Sequence, residues 1–262
     1  MCQDVFLTGH GRRRIYRQFV IIKAEKMMMK RNGVLQIEFL VILTVFATVQ
    51  PVYAFNQWPD TGKTKCYNDT VEIPCPQPGE PFYGQDAQYA GPVRSYTKLA
   101  HGDVALPDSA TYDDGWIMTR DNVTGLIWEM KTDNGSVHDQ DNAYTWCDTN
   151  PATNGGDAGT CGDGTDTEDF IDEVNNEDFG GHADWRLPTV KELSTLVNSD
   201  IPYPGPTINA TYFPETVSYF YWSSTTYAYY TNVAWLVAFS YGFVGGGDES
   251  GSYYVRAVRA GQ

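Results

Sequence analysis

The chain has 262 residues, of which 42% are hydrophobic and 19% charged, and its net charge is −15 because 33 Asp and Glu outnumber 18 Lys and Arg. This length suits one domain of ordinary size with an extension. The core of such a domain is large enough to fold without disulfide bonds or structural metal ions. A protein that binds nucleic acid or an anionic membrane surface unaided is normally basic, so the charge argues against both partners.

Residues 27–54 have the pattern of a secretory signal. A basic stretch begins at Met29-Lys30-Arg31, and an apolar run of 11 residues, Phe39 to Val49, follows it. That run is too short to span a bilayer as a helix. We therefore predict a signal peptide at 27–54, cleaved after Ala54, with a retained anchor as the alternative. Residues 1–26 fit no targeting pattern and are interpreted as a spurious or unstructured extension.

Four cysteines follow the predicted cleavage site, and an even count in an exported chain indicates two disulfides. Pairing of Cys66 with Cys75 and of Cys147 with Cys161 is the simplest of three connectivities. A zinc site is the alternative, although the spacing is not of the C-x-x-C kind. Residues 55–262 carry 10 basic and 30 acidic residues, a net charge of −20. We expect a secreted, periplasmic or cell-surface protein with no membrane span after cleavage.

Residues 55–113 form a Cys- and Pro-rich extension, in which four prolines between 73 and 81 exclude a regular helix or a central strand. The main domain is predicted at 114–262. Its first elements are two strand-like runs, Trp116 to Met118 and Leu126 to Met130, on either side of a turn signal, and they predict a hairpin.

Helical patterns follow in the middle of the chain. Ala143 to Cys147 is a short helical candidate, and Thr167 to Asn176 is predicted as a helix because its apolar residues lie on one face. Thr189 with Glu192 forms a capping box, which predicts the start of a second helix whose apolar stripe extends to Val197.

Acidic residues crowd the loops between residues 131 and 169. Hard cations such as Ca²⁺ take six to eight oxygen ligands from such loops, so Ca²⁺ is the one candidate cofactor, and solvated acidic loops are the alternative. The candidate ligands are Asp133, Asp139, Asp141, Asp157, Asp163 and Asp166.

The last 44 residues are the most informative part of the chain. Three runs rich in aromatic and β-branched residues predict strands at Tyr219 to Ser224, Ala234 to Ser240 and Tyr253 to Arg259, with 245–252 as a long flexible turn. Eight of the 18 tyrosines lie between Tyr219 and Tyr254. Tyr with Ser, Gly and Asn is typical of a binding surface. The predicted ligand-binding residues are Tyr227, Tyr229, Tyr230, Asn232, Ser240, Tyr241, Asp248, Ser250, Ser252 and Tyr253.

Catalysis is not expected. The tail contains no His, Cys or Lys, and the three histidines after residue 54 (His101, His138 and His182) are scattered, so we interpret each as a surface or loop residue. No pair of carboxylates stands out as acid and base.

The chain resembles the Lcl C-terminal domain family in five motifs that occur in a fixed order. These motifs are TGLIWE (124–129), DWRLPTVKEL (184–193), YWSSTTYA (221–228), AWLVAF (234–239) and YYVRAVR (253–259). The resemblance implies a C-type-lectin-like α+β fold, with a mixed or antiparallel sheet, two flanking helices and long loops. It also implies structural roles for a frame of motif residues. These are Trp185, Arg186, Trp222, Trp235, Arg256 and Arg259. The formylglycine-generating branch of this fold needs a late Cys, which the chain lacks, so that enzyme is disfavoured.

The tail also resembles the variable regions of retroelement-diversified proteins, in which a fixed frame carries varied residues. We therefore expect an exported recognition or adhesion module that binds an unidentified protein or glycan through the tyrosine-rich tail. The alternative is a structural or assembly component of the cell envelope, for which an oligomer is possible. The sugar-binding motifs of calcium-dependent lectins are absent, and the acidic charge counts against polyanion binding.

Overall fold

The computed structural model describes residues 57–162 and 164–261, so the predicted signal peptide 27–54 and extension 1–26 lie outside the described residues, as does Asp163. The described chain forms mostly antiparallel sheets with two α-helices, which agrees with the α+β class in its coarse form. No described helix has both the length and the apolar character needed to cross a membrane. The strands are β1 Cys66–Tyr67, β2 Glu72–Ile73, β3 Tyr96–Ala100, β4 Val104–Ala105, β5 Met118–Asp121, β6 Leu126–Glu129, β7 Ala143–Tyr144, β8 Phe220–Thr226, β9 Val233–Ala238, β10 Phe243–Asp248, β11 Tyr253–Tyr254 and β12 Val258–Ala260; the helices are α1 Thr167–Asn176 and α2 Val190–Ser194.

The first five-stranded sheet has the order β12-β6-β5-β3-β4 and is antiparallel throughout. It contains the predicted hairpin, which is confirmed by the pairing of β5 with β6. Asp121 closes the turn because its side chain accepts from the Val123 amide at 2.8 Å and its carbonyl accepts from the Gly125 amide at 2.8 Å. Gly125 has a φ of 79°, which a side chain would strain.

Part of the predicted extension belongs to this sheet. β3 and β4 lie before residue 114, and β3 pairs with β5 along four residues. Farther upstream the Cys66–Cys75 disulfide is present as predicted. Arg94 attaches the extension to the main domain, since its guanidinium donates to the backbone carbonyls of Thr195 and Val197.

The second five-stranded sheet has the order β10-β9-β8-β11-β7, in which only the β11–β8 pair is parallel. The predicted flexible turn at 245–252 is wrong, because residues 243–248 form β10 and pair with β9 in continuous register. The glycines allow close packing instead: a Cβ on Gly247 would lie 2.5 Å from Leu236 and 3.2 Å from Trp222.

The predicted strand Tyr253 to Arg259 divides between the two sheets. β11 belongs to the second sheet and β12 to the first, and residues 255–257 cross between them with no exposed surface. Arg256 stabilises the crossing, because its Nη1 donates to the Glu129 carbonyl at 2.6 Å and its Nη2 to Thr216 at 2.8 Å. A buried Arg needs such acceptors, so the crossing depends on tertiary partners.

The predicted helix at Ala143 to Cys147 is also wrong. β7 pairs antiparallel with β11, Tyr144 opposite Tyr253. Tyr144 and Trp146 both bury their side chains, which matches the two-residue period of a strand. Pairing with a distant strand therefore overrides the local preference.

Both other helices are confirmed, with one change of length. Asp166 caps α1 by accepting from the amides of Glu168 and Asp169. Thr189 and Glu192 form the predicted capping box of α2, but this helix has only five residues. The Thr195 hydroxyl donates to the Glu192 carbonyl at 2.6 Å, and such side-chain bonds compete with continued helix.

Two clusters of buried apolar residues form the core. Trp222 centres one and Tyr221 lies in the other, so adjacent residues of β8 fill opposite sides of the sheet. Among the predicted frame residues, Trp185, Trp222, Arg256 and Arg259 are buried. Arg186 is exposed and donates to Glu192 at 2.7 and 2.8 Å. Trp235 is only half-buried, which corrects its expected place in the core.

Candidate recognition surface

Four aromatic side chains cluster where β8 turns into β9. The Tyr227 ring lies 4.7 Å from Trp235 and is stacked with Tyr230 at 6.1 Å between centroids. Tyr229 meets the edge of Tyr230 at 4.7 Å. Tyr229 is nevertheless 79% exposed and Tyr230 56% exposed. The Tyr229 and Tyr230 rings are therefore positioned by neighbouring rings while most of their area faces solvent.

Polar residues of the next turn adjoin these rings. The Asn232 amide donates to the Asp248 carboxylate at 3.2 Å, and the Ser250 hydroxyl donates to the same carboxylate at 2.6 Å. The Glu249 amide donates to the Asn232 carbonyl at 3.0 Å. The hydrogen bonds from Ser250, followed by the one from Asn232, hold the pKa of Asp248 below its usual range, so this carboxyl group stays ionised.

The structure thus brings six of the ten predicted ligand-binding residues to one end of β9, and we call this set the tip. The tip consists of Tyr227, Tyr229, Tyr230, Asn232, Asp248 and Ser250.

The other four predicted residues do not join the tip as one patch. Ser240 and Tyr241 follow the opposite end of β9, roughly 17 Å away at about 3.4 Å per residue. Ser240 is buried, whereas Tyr241 is exposed and stacks on Tyr203 at 4.5 Å. Tyr253 packs on Trp222 at 5.0 Å, so much of its ring covers the core. Ser252 is exposed just before β11.

The loop closed by the second disulfide lies beside the tip. Cys147 and Cys161 are bonded as predicted, which commits both thiols and removes the zinc alternative for them. A Cβ on Gly155 would lie 2.7 Å from Thr226, and one on Gly156 would lie 3.8 Å from Thr231. The disulfide loop therefore braces the strand end that carries the tyrosines.

Glu249 is buried directly behind the tip. Its side chain is 2% exposed, and neither carboxylate oxygen has a hydrogen-bond partner among the described residues. Burial, together with the nearby charges of Asp157 and Asp248, raises the pKa of Glu249 to about 7. Sequence analysis missed this residue, because GGGDESGS gives no sign of burial.

The acidic loops use their carboxylates for backbone hydrogen bonds. Oxygens of Asp133, Asp139 and Asp141 lie within 4.8 Å of one another. Asp139 already accepts from the amides of Asn134, Gly135 and Asp141. Asp166 likewise accepts from three amides, two of them in α1. Asp157 accepts from Gly159 at 3.1 Å, and Asp163 lies outside the described residues. The carboxylates of Asp139, Asp157 and Asp166 therefore hold the backbone of their own loops.

A buried ionic cluster lies elsewhere, at the end of β6. The Glu129 carboxylate is fully buried and contacts Lys131 at 3.1 Å and His138 at 2.8 Å. Burial alone would raise the pKa of Glu129, but Lys131, His138 and the Ala257 amide outweigh it and lower the pKa to about 2. His138, predicted as a surface or loop histidine, lies in the loop after β6 but is buried. The signal in the sequence was a single Glu within the apolar run LIWEM.

A sequence model described as the Lcl C-terminal domain matches residues 117–259, more than half of the chain. No curated protein and no solved structure matches the chain.

Proposed function

The chain belongs to the Lcl C-terminal domain family, and we propose that it is an exported, non-catalytic recognition module that binds a protein or glycan ligand through its tip. The observation that carries the proposal is the exposure of Tyr229 and Tyr230, 79% and 56%, within a cluster of contacting rings. Tyrosine supplies a large contact area for the loss of only two side-chain torsions. Contacts between the rings order these side chains before a ligand binds, which lowers the conformational entropy that binding loses.

Hydrogen-bonding groups beside the rings support the same function. Asn232, Asp248 and Ser250 are exposed next to the tyrosines and linked to one another. An aromatic surface with a polar margin is the usual composition of a recognition site. Aromatic rings also stack on sugar faces, so a glycan ligand fits as well as a protein.

Export and fold class are parts of this proposal. Two disulfides in a described chain of moderate size favour an oxidising compartment. We assign the domain to the C-type-lectin-like class because of its motifs and because its last strand, β12, returns to pair with β6.

The proposal extends to diversification of the tail. A retroelement that varies adenines in AAC codons would leave the codons of tip residues ending in C or T, beside a near-copy repeat and a reverse transcriptase gene. Arbitrary third bases without such neighbours would refute this part and leave binding untouched.

The test is a screen of the purified protein on glycan and protein arrays, followed by the Tyr229→Ala, Tyr230→Ala double variant. We expect the variant to lose at least tenfold in affinity for the ligand found, with an unchanged melting temperature. The matched control is the Tyr83→Ala, Tyr89→Ala double variant, which removes two exposed tyrosines of the extension. Equal affinity in both double variants would overturn the proposal.

An assembly role in the cell envelope is the second candidate. β10 lies at the edge of its sheet and exposes Phe243 and Val244. An edge strand with exposed apolar residues offers unpaired backbone groups to another chain. Size-exclusion chromatography with Val244→Lys separates the two functions, since only assembly through this edge predicts a smaller species for the variant.

A further inference from the structure

A pocket of about 420 Å³ opens between the end of β3 and the segment after β6. Its wall includes two lysines, Lys98 and Lys131, together with Trp116, Tyr112 and Met130. No residue of the tip lines it. Its size falls within the range of small-molecule sites, and its apolar wall with a few polar groups is their usual composition.

Lys98 is 5% exposed although it carries an ammonium group. Its Nζ donates to the Ala110 carbonyl at 2.7 Å and lies 3.9 Å from the centre of the Trp116 ring. An ammonium has three N–H donors, and the carbonyl takes one. No carboxylate of the described residues forms an ion pair with Lys98.

Lys131 is 2% exposed and shares its counter-charge with other groups. Its Nζ contacts Glu129 at 3.1 Å, but the same carboxylate also contacts His138 and accepts from the Ala257 amide. Burial lowers the pKa of Lys131, and Glu129 opposes this effect. The Lys131 Nζ also lies 5.1 Å from the Phe170 ring, so it points to the opposite side of the sheet from the Lys98 Nζ, which lies near Trp116 and Tyr212.

A third buried cation adds to the imbalance. Arg256 donates to a carbonyl and a hydroxyl rather than to a carboxylate, and its Nε has no partner among the described residues. Among the described residues, Glu129 has the one fully buried carboxylate that contacts any of these three cations. Buried charges normally find a partner of opposite sign.

The carboxylates at the rim do not supply that partner in a dry environment. Asp133 and Glu215 are both exposed, so water screens both. We propose that the pocket binds a small organic carboxylate, whose charged group lies near Lys98 and whose apolar body lies against Trp116 and Tyr112. Charge-assisted hydrogen bonds to a buried ammonium are stronger than neutral ones, which favours an anion over a neutral molecule.

Benzoate is the probe, because it combines a carboxylate with one aromatic ring. Calorimetric titration into the purified protein should show saturable binding of benzoate at one site, with at least tenfold weaker binding of the neutral isostere benzamide. The Lys98→Met variant should weaken benzoate binding at least tenfold. Lys191→Met, an exposed lysine of α2, is the control and should change the affinity less than twofold.

A measurement on the unaltered protein covers the case in which Lys98→Met does not fold. Amide resonances of residues 109–112 and 130–134 should shift on addition of benzoate, and those of 227–232 should not. Absence of saturable binding, equal affinity for benzamide, equal loss in both lysine variants or shifts outside the pocket would each overturn the proposal. None of these outcomes bears on the tip, whose test uses other residues and other ligands.

Discussion

Replacement of Glu249 by Gln should change how the stability of the protein depends on pH. The carboxyl group is buried without a hydrogen-bond partner among the described residues, and burial with Asp157 and Asp248 raises its pKa to about 7 from the ordinary value of 4.5. The folded protein therefore holds this proton more tightly than the unfolded chain does. The associated stability is fully present below about pH 4.5 and is lost as the pH rises through about 7.

The size of the effect follows from the two pKa values. Their difference corresponds to at most about 3 kcal/mol, at 1.36 kcal/mol for each pH unit. Asp248 is exposed and Asp157 half-exposed, so solvent screens their contribution. We therefore expect the protein to lose about 1–2 kcal/mol of unfolding free energy between pH 5.5 and pH 8.

Urea unfolding followed by circular dichroism at both pH values measures this loss. The free energy of unfolding of Glu249→Gln, relative to the parent, should be about 1–2 kcal/mol higher at pH 8 than at pH 5.5, because the amide carries no charge at either pH. Glu173→Gln, on the exposed face of α1, is the control and should keep the parent's pH dependence. A Glu249→Gln variant with the parent's pH dependence would refute the assignment of the effect to this carboxyl.

Three further predictions concern stability and are all measured by urea unfolding at pH 7. The Cys147→Ser, Cys161→Ser double variant should lose about 3 kcal/mol, because the disulfide closes a loop of 14 residues; an unchanged midpoint would show that the loop is ordered without it. Gly247→Ala should lower the unfolding free energy by about 1–3 kcal/mol, because its Cβ would lie 2.5 Å from Leu236. Gly245→Ala is the control and should lower it by less than about 0.5 kcal/mol, because its Cβ meets only the exposed Phe243 ring at 3.1 Å. Equal losses in the two variants would contradict the packing of β10. Arg259→Met should lower the unfolding free energy by about 3 kcal/mol, because the buried guanidinium forms ion pairs with the carboxylates of Asp103 and Asp184. A loss below about 1 kcal/mol would show that water satisfies these carboxylates when the guanidinium is removed.

Local chemistry explains the features that were predictable from the sequence. The capping box of Thr189 and Glu192 lies within four residues, and the β5–β6 turn depends on Asp121 and the conformation of Gly125. The two disulfides join cysteines 9 and 14 residues apart, so proximity along the chain suggested the correct pairs. The family follows from ordered motifs, which need no tertiary information.

Strand pairing that the local composition does not reveal explains the errors. Residues 243–248 have the composition of a turn, yet β9 supplies a complete ladder of backbone partners. Ala143 to Cys147 resembles a helix, yet β11 supplies an edge to pair with. In each case hydrogen bonds to a strand about 5 to 110 residues away outweigh a local preference that differs by only ~1 kcal/mol.

The sequence by itself determined the family, the capped helices and the concentration of tyrosines in the tail. Only the tertiary structure decided which tyrosines stand together at the tip and which cover the core, because that choice depends on strand register and on which face each residue occupies. It also placed Glu249, Glu129 and Lys131 out of water. Burial of a charge is a property of the surrounding elements, and for these three residues those elements come from distant parts of the chain.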